Sequence, residues 1–341
     1  MKNFIPVWIL FIFSLLLFSC QPVNEKKAGA EKNPAAVPSE LDALNKKILS
    51  DSLNPEHYYL RSRYYLGEKD INKALADINK AIQLDEKKSD YFVTLSEIYL
   101  SMGRMPNCLE SLKKAEELDP VNNNALLKLA EAYLIFKDYA NAFEYTKRAL
   151  DLDKINPKAY FIRGYAYLEL GDSSLAIRNF QAAADQDQDY YDAYLELGAI
   201  YSARKNPLAE GYLQTATRIE PGREEAFYLL GLNYQEQENI PKAIEAYEKL
   251  LTVFPDFKEA HYNLGYINLV YLNDFEAAIK FFSKAISLDP KYADAFFNRG
   301  YSYELKGDFV NARKDYQKAL DLVPNYDRSI LGLNRLDSLQ E

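Results

Sequence analysis

The stretch AFFNRGYSYELKGDF, at residues 295–309, decides the fold, because the chain carries a near copy of it, AYFIRGYAYLELGDS, at residues 159–173. The two copies begin 136 residues apart, which is four intervals of 34 residues. Self-similarity at a fixed period of this size indicates one small structural unit that is stacked many times. We therefore expect a repeat protein, in which most of the shared letters hold the shape.

The period of 34 residues runs from residue 55 to residue 326 and gives eight repeats. We number them 1 to 8 by their first residues, which are Pro55, Ser89, Asn123, Pro157, Tyr191, Glu224, Lys258 and Ala293. The fifth repeat is one residue shorter, within residues 202–210, and the seventh is one residue longer, within residues 269–276. Both changes fall where a turn is expected, so the period continues through them.

Small residues recur at fixed positions of the repeat. The eighth position holds Ser62, Ser96, Ala130, Gly164, Gly198, Gly231, Gly265 and Gly300. Three positions later, seven repeats carry a tyrosine, and the seventh repeat carries Asn268. Two antiparallel helices approach closely only where the facing side chain is small, and the aromatic ring then fills the gap beside them. Proline closes five repeats because it cannot continue a helix.

These positions together resemble the tetratricopeptide repeat family over residues 55–326. The resemblance implies an all-α fold, a right-handed α-solenoid of about eight helix pairs, in which each pair buries its apolar face against the next. It also implies that positions two, five, nine and twelve of each first helix line a concave surface that binds partner proteins. Residues 327–341 resemble the capping helix of such arrays, with Ile330, Leu333 and Leu336 on one apolar stripe.

Residues 1–19 have the pattern of a bacterial lipoprotein signal peptide. Lys2 precedes an apolar run from Phe4 to Phe18, which is shorter than the roughly 20 residues of a membrane-spanning helix. Cys20 follows where the resemblance to a lipobox implies attachment of diacylglycerol, and Gln21 in place of Asp favours the outer membrane. The alternatives are an ordinary secretory signal and an uncleaved anchor.

Residues 20–54 are expected to form a lipidated flexible tether that ends in a short helix. The tether is polar, rich in Ala and Pro, and has almost no large apolar residue. Ser39 lies three residues before Asp42 and precedes apolar residues at helical spacing, which predicts a capped helix. Lipid on Cys20 would hold the chain at a membrane surface and leave Cys108 without a disulfide partner.

The sequence lacks the residue constellations of an enzyme, so we expect no catalytic activity, no cofactor and no metal. His57 and His261 lie on first helices of distant repeats, where packing is the favoured role. Cys108 occupies a slot that holds Ala in the other repeats, and we expect it to pack rather than react. A formal net charge of −9 argues against nucleic acid as a partner.

Function is expected at positions five and nine, which the repeat framework leaves free and which share one helical face. In repeats 4 to 8 these positions are largely aromatic. The residues selected as partner-binding candidates are Tyr165, Tyr228, Tyr262, Tyr266, Phe297, Asn298 and Tyr301. For position five, packing between adjacent first helices is the favoured interpretation, and for position nine it is contact with a partner. Asn263 and Glu304 are expected to flank the rings.

The sequence favours a membrane-tethered scaffold or adaptor of the bacterial envelope, which binds a peptide or helix of a partner protein in its groove. An envelope glycan or peptidoglycan fragment, stacked on the tyrosines, is the alternative ligand. A regulatory arm of an envelope enzyme is less favoured, because no non-repeat block of domain size is left in the chain.

Overall fold

The computed structural model describes residues 39–339, and within this range the regular structure is entirely helical. The expected signal peptide, Cys20 and most of the expected tether lie outside the described residues. The helices are α1 (Glu40–Ser50), α2 (Pro55–Gly67), α3 (Ile71–Leu84), α4 (Ser89–Ser101), α5 (Met105–Leu118), α6 (Asn123–Ile135), α7 (Tyr139–Leu152), α8 (Pro157–Glu169), α9 (Ser173–Gln186), α10 (Tyr191–Ala203), α11 (Leu208–Ile219), α12 (Glu224–Glu236), α13 (Ile240–Val253), α14 (Lys258–Ile267), α15 (Phe275–Leu288), α16 (Ala293–Lys306), α17 (Phe309–Leu322) and α18 (Asp327–Ser338).

Two compact units divide the chain, an N-terminal unit that ends at Ala166 and a C-terminal unit that begins at Tyr167. Within the N-terminal unit, α2 packs on α3, α4 on α5 and α6 on α7, and each pair packs on the next. The C-terminal unit repeats this arrangement with α10 and α11, α12 and α13, α14 and α15, and α16 and α17. Stacked helix pairs of this kind define an α-solenoid, so the predicted fold class is confirmed.

Each repeat bends between its two helices at one residue in the left-handed conformation, with φ from 52° to 83°. These residues are Lys69, Gly103, Lys137, Gly171, Lys205, Glu238, Asn273 and Gly307. Glycine adopts this conformation without strain, whereas the five other side chains crowd their own backbone. In seven repeats the next residue is Asp or Asn, and its side chain accepts a hydrogen bond from the first turn of the second helix.

The eighth position is small in the C-terminal unit because a large side chain of the second helix lies against it. A Cβ atom added at Gly231 would lie 2.4 Å from the ring of Tyr247, which is fully buried. At Gly265 it would lie 2.8 Å from the buried ring of Phe282. Carbon atoms in contact lie about 3.5–4.0 Å apart, so neither site accepts a methyl group without a shift.

The extra residue of repeat 7 forms a π-helical turn, Asn268–Leu272, directly after α14. Asn268 is buried, and its Nδ2 donates to the carbonyl oxygen of Leu264 at 2.8 Å. The turn leaves Val270 and Leu272 about half exposed. A π turn adds one residue to a helix without breaking it, which explains how the insertion is accommodated.

The N-terminal helix α1 is capped as expected, since the Oγ of Ser39 accepts a hydrogen bond from the backbone N–H of Asp42 at 3.2 Å. Only Leu44 of this helix is buried. Asn45 is held by Arg61 of α2 through a bond of 2.7 Å between Nη1 and Oδ1. Helix α1 therefore covers the open end of the N-terminal unit with one apolar and one polar contact.

The C-terminal helix α18 packs on α17, and Leu333 and Leu336 of the predicted apolar stripe join the cluster around Tyr316, whereas Ile330 does not. The buried residues of the helix are Ser329, Gly332 and Leu336. Ile330 was expected in the stripe, and that expectation is wrong, because its side chain is 37% exposed. The helix lies with Gly332 against Tyr316, where a Cβ atom would come within 2.6 Å of the ring, and this rotation turns Ile330 outward.

Candidate binding face

Five aromatic residues of the C-terminal unit lie at positions five and nine of the first helices, and all five are partly exposed. They are Tyr228 of α12, Tyr262 and Tyr266 of α14, and Phe297 and Tyr301 of α16. We call this set the aromatic face. Tyr262, Tyr266 and Tyr301 pack against one apolar cluster around Phe282, and Phe297 and Tyr301 share the next cluster. The structure thus gathers four of the five rings into two adjoining clusters, whereas Tyr228 packs in a third.

The rings at position five pack between neighbouring repeats. Each meets the aromatic residue that precedes the next first helix, with ring centroids 5.2 Å apart for Tyr228 and Phe257 and 4.9 Å apart for Tyr262 and Tyr292. Phe297 meets Tyr326 in the same way at 5.7 Å. The favoured interpretation of position five, packing between adjacent first helices, therefore agrees with these contacts. Aromatic pairs at such distances each add about 0.5–1.5 kcal/mol beyond area burial.

The rings at position nine contact aromatic and cationic side chains nearby. Tyr301 lies parallel to Phe297 with centroids 6.3 Å apart, and the guanidinium of Arg335 lies 5.7 Å from its centroid. Tyr266 meets Tyr271 of the π turn edge-on at 6.4 Å. Both rings keep part of their surface in solvent, so they can offer apolar area and a hydroxyl group to a ligand.

Asn298 and Asn263, which were expected beside the rings, lie beneath them instead. Their side chains are 5% and 7% exposed. The Nδ2 of Asn298 donates to the hydroxyl oxygen of Tyr262 at 2.8 Å, and the Nδ2 of Asn263 donates to that of Tyr247 at 3.0 Å. Each amide is thus used inside the protein, where it orients a tyrosine. Sequence reasoning placed Asn298 correctly next to the rings but could not see which way its amide points.

Glu304 was also expected at the edge of the face, and its carboxylate is occupied within the fold. It accepts from the hydroxyl of Tyr316 and from Nε and Nη2 of Arg335 at 2.8 and 2.9 Å. Burial raises the pKa of Glu304, but the hydrogen bonds from Arg335 and Tyr316 outweigh it, and the net pKa is lowered. Glu304 is therefore ionised at neutral pH and fastens α18 to α16.

Acidic residues in the first turns of the first helices border the aromatic face, and cations of the same unit pair with them. Arg223 bridges Asp192 at 2.9 Å and Glu225 at 3.3 Å, and its guanidinium lies 4.0 Å from the ring centroid of Tyr191. Arg328 of α18 pairs with Asp294 at 2.5 Å. Each of these three carboxylates thus has an arginine partner within the unit.

Tyr165 belongs to the N-terminal unit and is 4% exposed. Its ring lies 5.0 Å from that of Phe161 in an edge-on arrangement. The structure therefore does not place Tyr165 in the aromatic face of the C-terminal unit. Its role in partner binding stays a prediction.

Position nine of repeats 2 and 3 in the N-terminal unit holds Glu97 and Glu131, which pair with lysines of the first helices of repeats 3 and 4. Lys128 bridges Glu97 at 3.0 Å and Glu131 at 3.5 Å, and Lys158 bridges Glu131 at 2.8 Å. Burial raises the pKa of Glu131, but Lys158 and Lys128 outweigh it, so the pKa is lowered overall. Position nine of repeats 2 and 3 is therefore a paired carboxylate, whereas position nine of repeats 7 and 8 is a tyrosine.

Tyr228 and Tyr262 of the aromatic face are neutral at physiological pH. Burial raises the pKa of Tyr228 to about 12, and it also raises the pKa of Tyr262. Their hydroxyl groups keep their protons and can donate hydrogen bonds. They offer no charge to a ligand.

Between residues 39 and 339, no group of three or more His, Cys, Asp and Glu side chains is placed to hold a metal ion. His57 and His261 each place a ring nitrogen near a backbone carbonyl oxygen of the preceding loop, at 3.2 and 2.8 Å. Cys108 is a buried free thiol, and burial raises its pKa to about 11, which agrees with the packing role expected for it. None of the described helices has the length and apolar character needed to cross a membrane.

The fold and the face define an α-solenoid protein built from helix-pair repeats. Models of the tetratricopeptide repeat match residues 94–159, 163–224 and 228–270, and further models of the same repeat match residues 55–88, 268–307 and 293–326. The chain belongs to the tetratricopeptide repeat family, whose repeats generally mediate protein–protein interactions. The search of curated proteins found no match.

Two solved structures show the same fold. One is the C-terminal part of a TPR repeat-containing protein from Cytophaga hutchinsonii, with a TM-score of 0.60 and 22% identity over 70% of this chain and 98% of that chain. The other is the APC/C hetero-tetramer Cut9–Hcn1, with a TM-score of 0.51 and 17% identity over 89% of this chain and 60% of that chain. At these identities the likeness extends to the fold alone.

Proposed function

We propose that the chain is a membrane-tethered scaffold or adaptor of the bacterial envelope, which binds a segment of a partner protein on its aromatic face. The observation that carries the proposal is the set of partly exposed rings in repeats 6 to 8. Aromatic side chains give large contact area and lose little conformational entropy on binding, and they are enriched at the centres of interfaces. The proposal includes no catalytic activity.

The fixed positions of the rings support binding at this face. Tyr266 and Tyr301 project from consecutive first helices and pack against the same apolar cluster, so they are fixed before a ligand arrives. A preorganised surface avoids the entropy of ordering side chains during association. A peptide or helix laid across α14 and α16 would contact both rings.

Binding at the face is tested with the substitutions Tyr266→Ser and Tyr301→Ser in one chain. Pull-down from detergent-solubilised envelope, read by quantitative mass spectrometry, is expected to lose its main partner while the helical CD spectrum is unchanged. The matched control is Phe309→Ser, which removes a ring that is 42% exposed on the second helix of repeat 8. Retention of the partner by the double variant would exclude the aromatic face as the site.

The glycan alternative predicts a different result in the same variants. An isolated peptidoglycan-derived oligosaccharide would then bind the wild type without any protein partner and would lose binding in the double variant. If only the oligosaccharide responds to the loss of Tyr266 and Tyr301, the ligand is a glycan and the scaffold proposal is wrong.

The membrane tether is proposed from residues 1–20, where the lipoprotein pattern places the modified residue at Cys20. A diacylglycerol group would hold the chain at the outer membrane, and the polar segment after it would let the repeats reach a partner. Metabolic labelling with a fatty-acid analogue is expected to mark the wild type and not Cys20→Ser. Equal labelling of both chains would end this part of the proposal.

A further inference from the structure

The hydroxyl group of Tyr262 has one hydrogen-bonding role filled and one open. Its oxygen accepts from the Nδ2 of Asn298 at 2.8 Å. An amide nitrogen only donates, so this bond uses a lone pair of the tyrosine and leaves the hydroxyl proton unused. Among residues 39–339, no side chain or carbonyl group accepts that proton.

Tyr247, on the second helix of repeat 6, also accepts from an asparagine amide, and both of its hydrogen-bonding roles are filled inside the fold. Tyr247 accepts from Asn263 at 3.0 Å and donates to the Oε1 of Gln235 at 3.0 Å, and its ring is fully buried. Buried hydroxyl groups are normally paired in this complete way. Tyr262 has the same amide donor, but it is partly exposed and its proton has no acceptor among the described residues.

Tyrosine and asparagine occur together at fixed positions of repeats 6 to 8. Position six is Asn in repeats 7 and 8, and in both cases position five of the preceding repeat is Tyr, at Tyr228 and Tyr262. Where position five is Phe297, the corresponding residue of α18 is Gly332. The Asn263 amide also acts on Tyr228, where it partly offsets the effect of burial on the pKa. In the structure the Asn298 amide bonds the position-five hydroxyl of the preceding repeat, whereas the Asn263 amide bonds Tyr247 of the second helix.

The ring of Tyr262 offers little surface for stacking. One neighbour is Tyr292, nearly parallel at 4.9 Å, and another is Phe282 at 5.6 Å. A sugar ring would need an open aromatic face, whereas a peptide carbonyl needs only the hydroxyl edge. The surroundings of Tyr262 therefore favour a hydrogen-bond acceptor over a stacked ring.

We propose that Asn298 is a positioning residue that fixes Tyr262 as a hydrogen-bond donor, so that the face binds an extended peptide segment through one of its backbone carbonyl groups. The inference rests on the proposed function and names the contact by which repeats 7 and 8 hold the partner. A carbonyl can only accept, so its binding depends on the direction of the Tyr262 proton. Asn298→Asp reverses that direction, because a carboxylate takes the proton and leaves the tyrosine as an acceptor.

The test uses a fluorescent peptide that is selected on the wild-type chain from a random-sequence display library, with affinity read by fluorescence anisotropy. Tyr262→Phe and Asn298→Asp are each expected to weaken binding about three- to tenfold, the range for one hydrogen bond. The double variant is expected to bind no more weakly than either single variant, because both remove the same bond. Asn298→Ala adds no acceptor and is expected to weaken binding less than Asn298→Asp.

The matched control is Asn311→Asp, the same chemical change on the second helix of repeat 8, where the amide donates to Asp308 at 2.7 Å. It is expected to leave peptide affinity unchanged. Wild-type affinity in Asn298→Asp, additive losses in the double variant, or a library that yields no peptide dependent on Tyr262 would each overturn the inference. If Tyr266→Ser with Tyr301→Ser abolishes partner binding while Tyr262→Phe does not, only this inference fails and the proposed function stands.

Discussion

Replacement of Gly231 by Ala tests the packing argument at its tightest point. The added Cβ atom would lie 2.4 Å from Cε1 and 2.6 Å from Cδ1 of Tyr247. Since carbon atoms in contact lie about 3.5–4.0 Å apart, the ring would have to move by about 1 Å. Tyr247 is fully buried, and its hydroxyl is held by Gln235 and Asn263, so the ring has no free direction in which to move.

The size of the effect follows from two opposing contributions. Overpacking of a core costs about 1–3 kcal/mol, and a held ring puts Gly231→Ala near the upper end. Alanine is about 1 kcal/mol more favourable than glycine inside a helix. We therefore expect a net loss of about 2 kcal/mol in the free energy of unfolding. The loss should be smaller for Gly300→Ala, where the nearest atoms lie 3.1 Å away.

The assay is urea unfolding followed by CD, with amide hydrogen exchange to locate the weakened repeat, since repeat arrays can unfold locally. Gly211→Ala is the matched control, because Gly211 is exposed in α11 and its Cβ would meet no atom within 4 Å. It should raise stability by about 1 kcal/mol. If Gly231→Ala is as stable as Gly211→Ala, close helix approach does not explain the small eighth position.

Three further predictions concern other parts of the framework. Asp315→Ala removes the carboxylate that accepts from the guanidinium of Arg299 at 2.7 and 2.8 Å, and it should lower the free energy of unfolding by about 3 kcal/mol. Asp151→Ala, at an exposed ion pair, should lower it by less than about 0.5 kcal/mol. Chemical unfolding measures both. Lys137→Gly relieves a bend residue with a φ of 58° and should raise the melting temperature, by the equivalent of about 1 kcal/mol, while no gain would show that the bend is unstrained. Because the pKa of Glu131 is lowered in the folded protein, its contribution to stability is complete above the ordinary carboxyl pKa and is lost as pH falls through the folded value. Lys158→Met should therefore reduce stability at neutral pH more than under strong acid. An equal loss at both pH values would contradict this.

The repeat framework was readable from the sequence because it depends on residue size and chain direction at fixed intervals. The first helices of all eight repeats begin at the residues where the period starts them, from Pro55 to Ala293. Position eight was predictable because only small residues let two helices approach. The fold class therefore followed from the family resemblance that these recurring positions carry.

The rotation of a helix about its axis and the direction of a side-chain hydrogen bond could not be predicted in this way. The sequence placed Ile330 in the stripe of α18, but the helix turns Gly332 inward because the large ring of Tyr316 needs that space. The seventh repeat was known to be longer, yet the π turn depends on how Asn268 bonds to Leu264. These features are set by contacts between side chains that lie far apart in the sequence or have several possible orientations.

The sequence pattern located the candidate face, whereas the hydrogen bonds within the face are seen only in the structure. Positions five and nine drew attention to the rings, whereas the placement of Asn298 beneath Tyr262 is a matter of side-chain direction. An Asn at position six after a Tyr at position five of the preceding repeat, found twice in succession, was the signal that could have drawn attention to it.

The most direct test of the central claim is photo-cross-linking from the aromatic face. A benzophenone amino acid in place of Tyr301 is expected to form a covalent adduct with a protein partner in intact cells. The same group in place of Lys249, an exposed residue of the second helix of repeat 6, is expected to form none. An adduct at both positions, or at Lys249 alone, would contradict the claim that the aromatic face is the binding site.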